Sequence, residues 1–342
     1  MEQTNTQNQP DLATTVEALK SSAANKINSA IFYGLSNLSK ADVESIRPVW
    51  QDLAPALRRK VVREMVELSE TNYELEYRSF GLFALSDDDP GVREAAIEVL
   101  WEDASLEVMS TLIAMAQHDP NREVRAVATS ALGRYILMGE LGDLPESETR
   151  LALDAAVSLY GNVQEDVAVR RRALEAMANS SHSMVPGAIQ SSYRSAEREM
   201  RISSVFAMGR TCDDRWEDVL INELESDDAE MRYEAVRAAG ELELASALPL
   251  LSELIGDDDR EIQMAAIWAL GEIGGREAMR VLTSVAEYAE EEDDEDLLEA
   301  VEDALGSASF VDGDMPSMLS FDENDYSYVD DAEDDAPSKL LQ

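Results

Sequence analysis

One helical block recurs along the chain, and the recurrence constrains the fold more than any other feature. With Gln263 as an anchor, steps of 31 residues reach Arg232, Arg201 and Arg170; a step of 45 then reaches Arg125, and one of 32 reaches Arg93. The residues around these anchors fall into columns. The position before the anchor is apolar: Val92, Val124, Val169, Met200, Met231, Ile262. The third position after it is small: Ala96, Ala128, Ala173, Ser204, Ala235, Ala266. The seventh is apolar, from Leu100 to Leu270, and the eighth is Gly133, Gly209, Gly240 or Gly271, with Trp101 and Ala178 departing. Offsets of −1, +3 and +7 trace one stripe of an α-helix. Self-similarity at this period indicates stacked helical units.

Each unit carries its own start signal. Asp89-Pro90 and Asp119-Pro120 suit a helix N-terminus, where aspartate accepts from free backbone N–H groups and proline lacks only an N–H that would be unpaired anyway. Around Ile262 the helix is apolar on two sides, which places it between neighbours. A second apolar helix follows each anchor helix after a short break, for example Ala278, Val281, Leu282 and Val285. A pair of helices in about 31 residues cannot cover its own apolar faces, so each unit must stack on the next.

The runs Asp89-Pro90-Gly91-Val92-Arg93, Asp119-Pro120 to Val124-Arg125 and Ala266-Ile267-Trp268-Ala269-Leu270-Gly271 resemble the HEAT-repeat family, in particular its short bacterial PBS-lyase HEAT-like type. The resemblance spans residues 87–289 and is fainter over 25–86. It implies an armadillo-like polar ladder along one edge in which Arg93, Arg125, Arg170, Arg201 and Arg232 are structural, weakened where Gln263 stands. It also implies a function by analogy: some relatives with these short repeats attach or remove bilin chromophores on phycobiliproteins.

The expected fold is therefore all-α, an α-solenoid of about eight to nine stacked antiparallel helix pairs. Residues 1–22 read as a disordered segment, 23–86 as degenerate terminal repeats, 87–306 as the regular array with a C-terminal cap helix, and 307–342 as a disordered acidic tail. The extra residues between Arg125 and Arg170 fall in 138–147, where Gly139, Gly142 and Pro145 mark a loop. Residues 290–296 are seven consecutive acids, a run that resists helix formation by self-repulsion. The tail holds ten acids and one lysine, interleaved with hydrophobics; Met318, Leu319 and Phe321 form a possible docking motif.

Composition narrows the function. With 71 acidic against 28 basic residues the net charge is −43, which repels phosphate backbones and disfavours nucleic-acid binding. The single Cys212 leaves no internal disulfide, the N-terminus has no signal-peptide pattern, and no apolar run is long enough to span a membrane, so a soluble cytoplasmic protein is expected. No metal-ligand spacing, phosphate loop or nucleophile motif occurs, so no catalytic, cofactor or metal site is expected. The four tryptophans read as packing residues. The chain reads as an interaction scaffold for another, possibly basic, protein; the alternative is a bilin-handling lyase or accessory protein.

Overall fold

The computed structural model describes residues 10–23 and 26–311. The helices among them are α1 (Leu12–Ser21), α2 (Ala30–Leu35), α3 (Lys40–Asp52), α4 (Pro55–Thr71), α5 (Arg78–Ala84), α6 (Pro90–Val99), α7 (Leu106–His118), α8 (Arg122–Glu140) and α9 (Glu146–Gly161). They continue as α10 (Val167–Met177), α11 (Val185–Tyr193), α12 (Arg198–Gly209), α13 (Glu217–Glu223), α14 (Ala229–Glu241), α15 (Leu248–Leu254), α16 (Arg260–Ile273), α17 (Gly275–Glu292) and α18 (Glu295–Val311). The fold is an all-α solenoid of antiparallel helix pairs. The anchors lie on the even-numbered helices, with Arg58 on α4 and Leu298 on α18 extending the series.

The pairing runs the other way from the sequence reading. Each partner helix packs on the anchor helix that follows it: α7 on α8, α9 on α10, α11 on α12, α13 on α14, α15 on α16 and α17 on α18. Successive anchor helices also stack directly on one another from α4 to α18. The column residues explain why they can. A Cβ built on Gly209 would lie 2.8 Å from the Cα of Ala238, one on Gly240 would lie 2.9 Å from the Cα of Ala269, and one on Gly271 would lie 2.9 Å from the Cα of Ala304. The eighth position of one unit thus meets the sixth of the next, an alanine at 131, 176, 207, 238, 269 and 304. The anchor helices thus form the backbone-close layer, the one that lies inside when a solenoid curves.

Four expectations about segments change. Residues 12–21 are helical rather than disordered: Asp11 caps α1 through Thr14 N at 2.7 Å, and Leu19 is fully buried. The degenerate repeats of 23–86 include a non-helical stretch before Arg78: 72–75 forms a turn, with Leu75 N donating to Asn72 O, and Glu76 is held against the loop after α2, with Asn37 N donating to Glu76 O and Glu76 N to Ser36 Oγ. The insertion at 138–147 lengthens helices instead of forming a long loop: α8 runs to Glu140 and α9 starts at Glu146. Gly139 allows the contact, since a Cβ there would overlap the Thr149 side chain. The acidic run is absorbed at a helix junction, with α17 reaching Glu292, Asp293 in the left-handed region at φ 58° and Asp294 capping Leu297 N.

At the C-terminus α18 extends to Val311, so 307–311 belong to the cap helix, and Ala308 is buried. Met318, Leu319 and Phe321, with the rest of the expected tail, lie outside the described residues.

Candidate functional site

The arginine ladder occupies the loops that enter the anchor helices. Arg93 donates two bonds to the Asp119 carboxylate of the next unit at 2.8 and 2.7 Å and one to Asp87 O at 2.8 Å. Arg125 reaches Glu165 at 2.8 Å and Asp119 O at 2.9 Å. Arg232 is ion-paired with Asp257 at 3.1 Å and donates to Ser226 O at 2.7 Å. Arg58 extends the series: buried, it pairs with Asp87 at 3.0 Å, and Asp87 also accepts from the Trp50 indole at 2.7 Å.

Two anchors lack the cross-unit acid. Arg170 donates only to Tyr160 O at 3.3 Å, and Arg201 only to Ser195 O and Ala196 O, since Ser195 and Ser226 stand where other units carry aspartate. At Arg201 the cross-unit bridge shifts three residues upstream, to Arg198, which grips Asp228 at 2.6 Å on both oxygens, whereas Val167 stands three residues before Arg170 and makes no such bridge. The same shift occurs at Gln263. Its amide donates to Ile255 O, and Arg260 takes both oxygens of Asp294 at 2.9 Å. The ladder is therefore continuous in places where the anchor column alone breaks. Each of these side chains is engaged in bonds that tie the loops together.

The opposite stripe of the anchor helices faces the inner surface. Phe206, Arg237 and Trp268 occupy the fifth position after successive anchors, and Tyr233 and Met264 the first. These positions are four apart and share a face. The Arg237 guanidinium lies 3.9 Å from the Trp268 ring centroid, and Arg210 lies 5.3 Å from that of Phe206. Two adjoining hollows of about 330 and 530 Å³ run along this row, the first lined by Phe206, Arg210, Glu234 and Glu241, the second by Arg237, Met264 and Trp268. Glu234 has no ion-pair or hydrogen-bond partner among the described residues. Burial, with Glu175 and Glu241 nearby, pushes its carboxyl up to about 7 against the pull of Arg237.

The tryptophans divide. Trp50 is buried edge-on against Phe80 at 4.9 Å, and Trp216 is buried with its indole donating to Thr211 at 3.1 Å. Trp268 is half-buried, packed against the core edge under Arg237, and Trp101 is 54% exposed, so the core or edge packing expected of all four fits Trp50, Trp216 and Trp268 and leaves Trp101 apart. Among the described residues no cluster of metal-ligating side chains occurs, Cys212 is exposed at φ 48°, and no helix is long and apolar enough to cross a membrane.

A HEAT-repeat family model matches residues 80–152 and 217–306. Those two stretches carry HEAT repeats. Solved structures similar to this HEAT array include human deoxyhypusine hydroxylase, at 14% identity, covering 87% of this chain and 96% of that one with a TM-score of 0.34. The complex of CpcE and CpcF of phycocyanin lyase from Nostoc matches at 17% identity, covering 67% of this chain and 93% of that one with a TM-score of 0.42. Yeast importin-beta matches at 10% identity, covering 90% of this chain and 47% of that one with a TM-score of 0.47. No curated protein matches the HEAT array.

Proposed function

We propose that this HEAT array is a non-enzymatic interaction module that binds another protein along its inner anchor-helix layer. The observation that carries the reading is the row of Phe206, Tyr233, Arg237, Met264 and Trp268 across α12, α14 and α16. Aromatic residues and arginine dominate binding energy at protein interfaces because they bury large area and pair polar groups at little entropic cost. Here they stand half-buried on three stacked helices, pre-positioned by the glycine and alanine columns beneath them. The surrounding acidity favours a partner with a basic rim, which it would steer by the long-range field.

Site-specific photo-crosslinking in the native host tests this. A photoreactive residue at Tyr233 should capture a discrete protein, and one at Glu253 on the outer helix α15 should not. Purified partner should then bind the Tyr233→Ala/Trp268→Ala variant at least about tenfold more weakly, or about 1.4 kcal/mol. Equal capture at both positions, or unchanged affinity in the folded double variant, would remove the inner layer as the interface.

A further inference from the structure

A second surface lies at the far end of the anchor helices from the arginine ladder. Between the 69–78 and 98–103 segments is a cleft of about 740 Å³, a size that suits a ligand or a short peptide segment. Its wall is apolar, built from Val66, Leu75, Val99 and Leu100, and at its mouth stand Trp101 and Tyr73, 54% and 91% exposed. The repeat columns explain why it is here. The eighth position after the anchor, glycine in the units that close tightly, is Val66 after Arg58 and Trp101 after Arg93. These are the two units that carry a large residue where the others allow backbone contact, and both residues line the cleft.

The charge lining the cleft is predominantly negative, although Arg134 beside Trp101 donates to Asp103 O and Tyr135 rather than to a carboxylate. Glu70, Glu98 and Glu102 line it without any ion-pair or hydrogen-bond partner among the described residues. The one base in the lining, Arg78, is already neutralised by Asp103 at 2.6 Å and Glu107 at 3.0 Å. The last turns of α4 and α6 both end here, and each helix C-terminus adds partial negative charge. Trp101 already lies 5.7 Å from the Arg134 guanidinium, so its ring is placed to meet cations. Unpaired carboxylates, two helix C-termini and exposed aromatic rings around an apolar floor favour a ligand that is both cationic and apolar.

We propose that this cleft binds a basic amphipathic peptide segment of a partner protein, with a lysine or arginine against Trp101 and the free carboxylates and apolar side chains on Val66 and Val99. The site is separate from the inner-layer row and does not depend on it. Full-length protein titrated with labelled octapeptides of alternating Lys-Leu, Lys-Ser and Glu-Leu, followed by fluorescence anisotropy, tests the assignment. Lys-Leu should bind most tightly, and its affinity should fall when NaCl rises from about 0.05 to about 0.5 M as screening shortens the reach of the carboxylates. Trp101→Ala, and separately Glu98→Gln/Glu102→Gln at exposed positions that cannot disturb the core, should each weaken Lys-Leu by about tenfold. Tyr233→Ala/Trp268→Ala should leave it unchanged. Lys-Ser binding as well as Lys-Leu would reduce the effect to bulk charge. Unaltered binding in both cleft variants, or loss in the inner-layer variant instead, would overturn the site.

Discussion

Glu234 is the residue whose surroundings disagree most with its chemistry. Burial and the carboxylates of Glu175, Glu241 and Glu230 disfavour its charged form, Arg237 favours it, and the result is a carboxyl at about 7 against the usual 4.5. The sign of the consequence follows from proton counting. Between 4.5 and about 7 the folded state keeps a proton that the unfolded chain has lost, so this group's contribution is intact below 4.5 and is lost as pH rises through 7. Glu234→Gln keeps the shape and removes the ionisation. It should match the wild type in denaturant unfolding at pH 4.5 and exceed it by up to about 3 kcal/mol at pH 8. An equal difference at both values would mean that Glu234 ionises normally. None of this was legible in the sequence, where Glu234 is one acid among 71. The positions at −1, +3 and +7 were legible because they repeat within one helix. The alanines at +6 gain meaning only against the glycine of the preceding unit.

At the scale of the element, the ladder separates buried from exposed pairing. The Arg93 side chain is 10% exposed and that of Asp119 is 6%, whereas the Arg198 side chain is 49% exposed. Removing one member of a buried pair strands the other charge in low dielectric, while an exposed pair trades one solvated state for another. Arg93→Ala should therefore cost about 3–5 kcal/mol and Arg198→Ala about 0–1 kcal/mol in chemical denaturation. Comparable losses would show that the cross-unit bridges act equally wherever they sit. The five ladder arginines stood out in the sequence as a column. The substitution of Arg198 and Arg260 for the missing bridges did not, because it is seen only when Ser226 is set against Arg201 across the unit boundary and Gln263 against its own loop. The phase of the helix pairs was misread for a related reason: periodicity fixes which helices repeat, and only packing shows which neighbour each one covers.

Over the whole molecule the stack behaves as a line of units, each held by its neighbours. The architecture was legible over 87–306 because the units there restate the same columns, and least so at the N-terminus, where the columns fade. The inner-face row and the cleft were not, because they arise where units deviate. Leu270 tests the linear character. It is fully buried on α16, which packs on α14 on one side and α18 on the other. Leu270→Asp places an unpaired charge between those helices and should destabilise by about 4–5 kcal/mol, the severe end for a single substitution. In a globular core such a loss spreads everywhere. In a quasi-one-dimensional array the coupling runs only from unit to unit. Hydrogen exchange of the variant should show α14 to α18 losing protection while α4 to α8 retain theirs. Since α4 to α8 carry the Trp101 cleft and α14 to α18 four of the five residues of the inner row, the same variant should keep Lys-Leu peptide binding and lose partner binding. Uniform deprotection from α1 to α18 would show instead that the array unfolds as one body, and that its two surfaces cannot be uncoupled by a local change.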